Sequence, residues 1–318
     1  MKNNLIKILK ISLPIAIGVY LTWYFVSNST ETEKEYFLKS LSEANYGWVL
    51  VALIIAFFAH LSRAYRWKYL LETLDLAPKL SLMYHSVMIG YIINLTIPRS
   101  GELARAAYFS RYQNTKSDQI FGTIVIERVI DLIMFALVFF IAFLFQTDQE
   151  KFNELRQISN STSNPYLLPS LLIIGIIFLA ILIGVKKVRI KVLNFLNGII
   201  KGATAILRLK NKINFLIHTF FIWSCYISML WITALALPDL ENITINVVFA
   251  CFVAGTIAIG ATPGGIGLYP IMVASVLIEL YGYDGQVAKS FGMLMWSSQT
   301  IFMILLGIIS LIAIKKEN

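Results

Sequence analysis

Long apolar runs at 6–26, 47–62, 119–145, 168–185, 213–237 and 290–314 constrain this chain more than any other feature. Each is near the length of about 20 apolar residues that a helix needs to cross a bilayer. Two further apolar stretches, 81–97 and 244–281, are interrupted. The first runs into Pro98-Arg99-Ser100-Gly101-Glu102, and the second is broken by Thr262-Pro263-Gly264-Gly265-Ile266-Gly267. Hydrophobic residues make up 58% of the 318 positions and charged residues only 14%. That leaves too little polar surface for a soluble monomer and too much apolar content for disorder. The expected fold is an all-α integral membrane protein. It is a polytopic helical bundle with about six full spans and two re-entrant or broken hairpins, eight hydrophobic units in all. The whole chain, 1–318, reads as a single transmembrane domain. The segment near residue 6 follows Lys2 but has no small-x-small cleavage site after it, so it is expected to be an uncleaved first helix.

The net charge of +9 reads first as topology, because cytoplasmic loops collect Lys and Arg. Lys2, Lys7 and Lys10 place the N-terminus inside, and Lys315-Lys316 place the C-terminus inside. Residues 63–80 are basic and inside. Residues 27–46 and 146–167 are acidic and outside. The segment 186–212 holds eight Lys/Arg and no acid. Between 63–80 and 146–167 the chain must cross an odd number of times, yet two apolar segments intervene. The economical solution is that 81–97 enters from the cytoplasm and returns through 101–112, bending near Pro98-Gly101. Non-helical backbone at that depth is tolerated only inside protein or beside a wet cavity. By the same parity, 244–281 supplies an even number of crossings, as a hairpin or as two short spans.

Pro98 and Pro263 lie 165 residues apart, and each half reads helix, helix, hairpin, helix. The first half starts inside and the second outside. This predicts an inverted repeat with pseudo-repeats of approximately 1–160 and 161–318, a recurrent transporter design with its site near the midplane. The alternative is two coincidental loops in a helical bundle.

Charges inside apolar segments mark the candidate site, since each costs roughly 2.5–3.5 kcal/mol at a helix centre on insertion scales. Glu127, Arg128 and Asp131 lie within 119–145. They form either the wall of a polar cavity that binds a head group or relays a proton, or an ion-pair clasp on the first hairpin. Arg99, Glu102 and Arg105 follow the bend at helical spacing. Arginine at that place can grip a phosphate bidentately, or can pair with Glu127. Asn94 can hydrogen-bond at the bend or cap it. Pro98, Gly101, Pro263, Gly264, Gly265 and Gly267 are the expected breaks or hinges; glycine permits the tight turns. Arg63, Arg66 and Trp67 end the second helix and read as an interfacial anchor, with a share in head-group binding as the lesser alternative.

Val192, Leu196, Ile199, Ala203 and Ile206 alternate at helical spacing against Lys187, Lys201, Arg208 and Lys212. Segment 186–212 is therefore expected to be a basic amphipathic helix on the cytoplasmic membrane surface. Nucleic acid is not an expected partner. Cys225 and Cys251 lie in apolar stretches, and His60, His85 and His218 are scattered. No metal-ligand spacing, phosphate loop or nucleophile elbow is present in the sequence, so no metal and no cofactor is expected. No loop is long enough for a soluble catalytic domain, and any enzyme would have to work within the membrane.

The stretch Asn94-Leu-Thr-Ile-Pro98-Arg99-Ser100-Gly101-Glu102-Leu-Ala-Arg105 resembles the first signature of the lysylphosphatidylglycerol synthase transmembrane-region family, a flippase-like domain. Glu127-Arg128-Val-Ile-Asp131 resembles its second and Thr262-Pro263-Gly264-Gly265-Ile266-Gly267 its third, and Arg66-Trp67 resembles its second-helix ending. The resemblance implies a multi-pass protein of a bacterial-type cytoplasmic (inner) membrane that moves lipids between leaflets. The expected partners are membrane lipids: an anionic or aminoacylated phospholipid, or a polyprenyl-linked lipid. The soluble aminoacyl transferase of the best-understood members is expected to be absent from a chain that stops at Asn318. Two departures bear on the substrate. Pro270 stands where members often carry an acid, and Ser297, Ser298 and Gln299 stand where many carry an arginine. The alternatives from other classes are an intramembrane glycosyl- or phospho-transferase acting on a polyprenyl lipid, and a non-catalytic envelope scaffold.

Overall fold

The computed structural model describes residues 31–97, 100–145 and 204–316, with Tyr20 and isolated positions between 190 and 202. The expected spans 6–26 and 168–185, the break residue Pro98, the candidate head-group residue Arg99, and most of segment 186–212 lie outside the described residues. The described part is almost wholly helical, with no strand among the described residues. The helices are α1 (Glu31–Glu43), α2 (Tyr46–Leu71), α3 (Leu80–Thr96), α4 (Gly101–Gln113) and α5 (Ser117–Phe145). They continue as α6 (Lys212–Ala234), α7 (Ile245–Ala261), α8 (Leu268–Ser275, prolonged by a π turn over Val276–Leu280) and α9 (Gly285–Lys316).

Four of these segments are long and apolar enough to cross a membrane: Tyr46–Leu74, Ser117–Phe145, Lys212–Ala234 and Gly285–Ala313. At 1.5 Å per residue, α2 is about 39 Å long and α3 only about 26 Å. This is a polytopic helical membrane protein, and its surface is that of one. Leu50, Ile54 and Phe58 of α2 face outward, as do Ile213, Ile217 and Phe220 of α6 and Ile301, Leu305 and Ile309 of α9. Arg66 and Glu127 are fully buried. A chain that exposes leucines and hides arginine is solvated by lipid, not water.

The chain divides into two compact units, Met1–Glu127 with Leu209–Asn318, and Arg128–Arg208. In the first unit, Ala52, Ala56 and Ala59 give α2 a small-residue face, and α2 packs along α6. Without a hydrophobic drive between helices in lipid, such small residues let backbones approach and gain dispersion contact. Asn45 caps α2, its Oδ1 accepting from Gly47 N at 3.0 Å. Asp284 caps α9 by accepting from Gln286 N at 2.8 Å and Val287 N at 3.2 Å. The second unit contains the C-terminal part of α5, whose Phe139, Phe140 and Phe143 are exposed.

Two helical hairpins lie in the first unit. In the first, α4 runs back along α3. A Cβ on Gly101 would sit 2.1 Å from the Gly90 carbonyl oxygen, and one on Gly90 would meet the Arg105 Cβ at 3.3 Å. Asn94 secures the bend: its Oδ1 accepts from Gly101 N at 2.7 Å and its Nδ2 donates to Glu102 Oε2 at 3.4 Å. In the second, α8 runs back along α7, with Gly255 against the Tyr269 ring and Gly265 near Ile259. The turn between them has Gly264, Gly265 and Gly267 at positive φ, a conformation that glycine adopts without the steric cost a side chain pays. A Cβ on Gly264 would lie 2.2 Å from Leu95 Cδ2, so the second turn touches the end of α3. Trp296 of α9 donates to the Gly264 carbonyl at 2.9 Å.

The two hairpins recur at one spacing. Helices α3 and α7 are each 17 residues long, and both ends, Leu80 to Ile245 and Thr96 to Ala261, are separated by the interval between Pro98 and Pro263. Gly90 falls on Gly255, the close-approach glycine of each hairpin.

The backbone contact at Gly101 sets a test. Gly101→Ala forces a methyl group into the Gly90 carbonyl, an overpacking worth about 1–3 kcal/mol, and should lower the melting temperature of the detergent-solubilised protein by several degrees. Gly122→Ala, where an added Cβ meets nothing within 4 Å, should leave it unchanged or slightly raised. Equal behaviour of the two would refute the packing described for the first hairpin.

Candidate functional site

Residues three and four apart share one helix face, and this brings three sets of side chains of the first unit to a common point. Helix α2 contributes Arg63, Arg66 and Trp67; α4 contributes Arg105; α5 contributes Thr123 and Glu127. The Glu127 carboxylate is fully buried. Arg105 grips it with both ends of its fork, Nη2 to Oε2 at 3.0 Å and Nη1 to Oε1 at 3.2 Å. Arg66 Nη2 lies 3.4 Å and Arg63 Nη1 3.7 Å from the same Oε1. Three guanidinium groups thus converge on one carboxylate.

Aromatic and hydroxyl groups hold the arginines in place. The Arg105 Cζ lies 3.8 Å from the centroid of the Trp67 ring, a cation–π stack that a planar guanidinium suits. The Trp67 indole N–H donates to Thr123 Oγ1 at 2.9 Å, and that hydroxyl donates to the Ile120 carbonyl at 2.7 Å. Arg66 Nη1 donates to Thr219 Oγ1 of α6 at 3.1 Å, and Thr219 donates to the Phe215 carbonyl at 2.9 Å. The Phe215 ring lies 5.3 Å from Arg66 Cζ, and the Tyr226 ring 6.0 Å from Arg63 Cζ. One turn before Arg63, His60 is buried between Tyr91 and Tyr226. His218 Nδ1 is 2.8 Å from Ser62 Oγ. Among the described residues, no group of three or more His, Cys, Asp or Glu is arranged to hold a metal.

Arg105 and Glu127 meet directly. Arg63, Arg66 and Trp67 are 5%, 0% and 0% exposed. Arg63 and Arg66 turn to Glu127, and Trp67 turns to Arg105 and Thr123. Asn94 and Glu102 bond to each other across the bend. Arg128 and Asp131 pair in the second unit, Nη1 to Oδ2 at 3.6 Å. Arg99 lies outside the described residues. Sequence reasoning missed Thr123, Phe215 and Thr219. Thr123 stands four residues before Glu127, a spacing that could have flagged it, but nothing local ties α6 to this point.

A buried indole N–H that loses its acceptor costs about 1–3 kcal/mol. Thr123→Val keeps the shape and removes the acceptor for Trp67, so it should lower the melting temperature by a few degrees. In a Trp67→Phe background, Thr123→Val should cost much less. Additive losses across this double-mutant cycle would show that the two side chains do not interact.

Comparison with known proteins supports the fold and the membrane setting. Residues 11–307 match the family described as the lysylphosphatidylglycerol synthase TM region. A UPF0104 membrane protein of Methanocaldococcus jannaschii is 29% identical over 101 residues. That alignment covers 31% of this chain and 30% of the relative's length. No solved structure matches. With the match running over nearly its whole length, the chain belongs to the lysylphosphatidylglycerol synthase TM region family of membrane proteins.

Proposed function

We propose that this protein is a flippase-like transporter that moves a phospholipid or a lipid-linked head group between the leaflets of a bacterial-type cytoplasmic membrane. The observation that carries the reading is the convergence of Arg63, Arg66 and Arg105 on Glu127 within apolar helices. Ionisable groups at that depth are expensive, and they are typically found along substrate paths. Phosphate oxygens suit guanidinium forks as carboxylate oxygens do. Arginines hold the phosphate, and acids meet an amine or relay protons.

The hairpins supply the second support. The turn of the second lies against Leu95, at the end of the first. Broken helices that meet in this way are how many transporters build a midplane site. The equal spacing of α3 and α7 favours an internal repeat, and the loop charges favour inverted halves with both termini cytoplasmic. The basic segments 63–80, 98–118 and 186–212 then share the cytoplasmic face, and the acidic ends near Glu43 and Asp239 lie outside. Movement is passive or ion-coupled. The transferase alternative fits less well, because both Glu127 oxygens are engaged by arginine rather than held open for a metal.

Reconstitution tests the reading. Vesicles containing the protein and a fluorescent short-chain phosphatidylglycerol should lose more than half of their fluorescence to an impermeant reductant, against about half without protein. Arg105→Ala should slow this exchange at least about 10-fold, the worth of one charge-assisted pair. Arg111→Ala, on the exposed side of α4, should not slow it. No movement of any anionic, zwitterionic or aminoacylated lipid by well-folded protein would refute the proposal.

A further inference from the structure

The two hairpins can be compared position by position, and the comparison isolates what is unusual about Glu127. At the spacing that carries Leu80 onto Ile245, Arg105 falls on Pro270 and Glu127 falls on Gly292. These two positions also touch: a Cβ on Gly292 would lie 2.7 Å from the Pro270 carbonyl oxygen and 3.0 Å from its Cα. The same contact between a returning arm and the following long helix is therefore made twice. In the second hairpin it is a glycine laid on a proline. In the first it is a bidentate ion pair, shared with two further arginines. The architecture does not need charge at this contact.

Buried ion pairs are a costly way to hold a fold, and well-packed apolar replacements often serve as well or better. The second hairpin is such a replacement. The groups around Glu127 are also held in fixed geometry. Three guanidinium groups face one carboxylate, Trp67 stacks under Arg105 at 3.8 Å, and Thr219 orients Arg66 at 3.1 Å. Two oxygens on a common centre, each met by guanidinium N–H groups, are what a phosphodiester presents as well as a carboxylate.

We infer that the Arg63–Arg66–Arg105 cluster is a phosphate-binding site whose resident occupant is Glu127. The side chain serves as a built-in stand-in for the anion and is displaced when a phosphodiester enters. Displacement frees the arm α4 from α5 at the contact that its counterpart α8 makes permanently through Gly292. Binding of the anion is thereby coupled to release of the first hairpin, while the second stays clamped by Gly292 and by the Trp296–Gly264 hydrogen bond. The inference rests on the transporter reading for the source of the phosphate, a lipid head group, but the anion chemistry stands apart from it.

An internal competitor scales apparent affinity down to the fraction of time it leaves the site open, so removing its charge should tighten binding. The test uses the full chain in detergent with three probes: dihexanoyl phosphatidylglycerol, inorganic phosphate, and dihexanoylglycerol, which lacks phosphate. Glu127→Gln should bind the phosphatidylglycerol about 10-fold more tightly than the wild type, and Arg105→Gln about 10-fold more weakly. Dihexanoylglycerol should show no such ordering. Glu127→Asp, which keeps the charge but shortens the reach, should also bind more tightly, and it serves if Glu127→Gln fails to fold. The ordering with phosphatidylglycerol alone identifies a head-group site; the same ordering with inorganic phosphate identifies a site filled from water, which contradicts the lipid source. Equal or weaker binding in both Glu127 variants makes the carboxylate a structural counter-ion and overturns the inference. Lipid movement by the wild type without any gain in the variants would overturn this inference alone. A gain in binding without lipid movement would overturn the transporter reading instead.

Discussion

Glu127 is the constraint around which the first compact unit is arranged. A carboxylate cannot sit unaccompanied inside a shell of apolar helices, and the cost of breaking a buried pair is about 3–5 kcal/mol. Its partners come from separate helices, Arg63 and Arg66 from α2 and Arg105 from α4. The arginines in turn need Trp67, Phe215, Thr219 and Tyr226 around them. The charge therefore fixes how α2, α4, α5 and α6 come together, a task that apolar packing in lipid performs only weakly.

The glycines solve a different problem, closeness. Gly90 and Gly101 let α3 and α4 touch backbone to backbone, Gly255 admits the Tyr269 ring, and Gly292 admits Pro270. Each hairpin is too short to bury itself by length, so it relies on such contacts and on polar bonds at its bend. In the first these include Asn94 to Gly101 and to Glu102, and in the second Trp296 to Gly264. The division of labour is unequal. The second hairpin is closed by shape, and the first by shape and charge together.

Much of this was legible in the sequence, because the signals are local. The polytopic helical class follows from the apolar runs. The interruptions at Pro98 and Pro263 mark the two hairpins, since a proline closely followed by glycine favours a helix end and a turn. Glu127 and Arg105 stand out as charges where charges are costly. What was not legible is which face of α2 turns toward α5. Arg63, Arg66 and Trp67 share a face by spacing, but spacing cannot say whether that face meets head groups or another helix. Thr219 and Phe215 gave no signal at all, as a threonine in an apolar helix usually satisfies its own helix backbone. That Arg105–Glu127 and Pro270–Gly292, 165 residues apart, both touch was hidden for a similar reason. The residues share no chemistry, and the pairing shows only in their contacts.

The most direct test of the account is where a lipid phosphate rests in the working protein. A phosphatidylglycerol carrying a photoreactive group beside its phosphate can be crosslinked to the reconstituted chain and the labelled residues mapped by mass spectrometry. The expected result is labelling of the α2 segment around Arg63–Trp67 and of α4 around Arg105, lost in Arg105→Ala. Labelling confined to outward-facing side chains such as Phe139, Phe140 and Phe143 of α5 would contradict the account, because lipid would then only surround the protein without entering it.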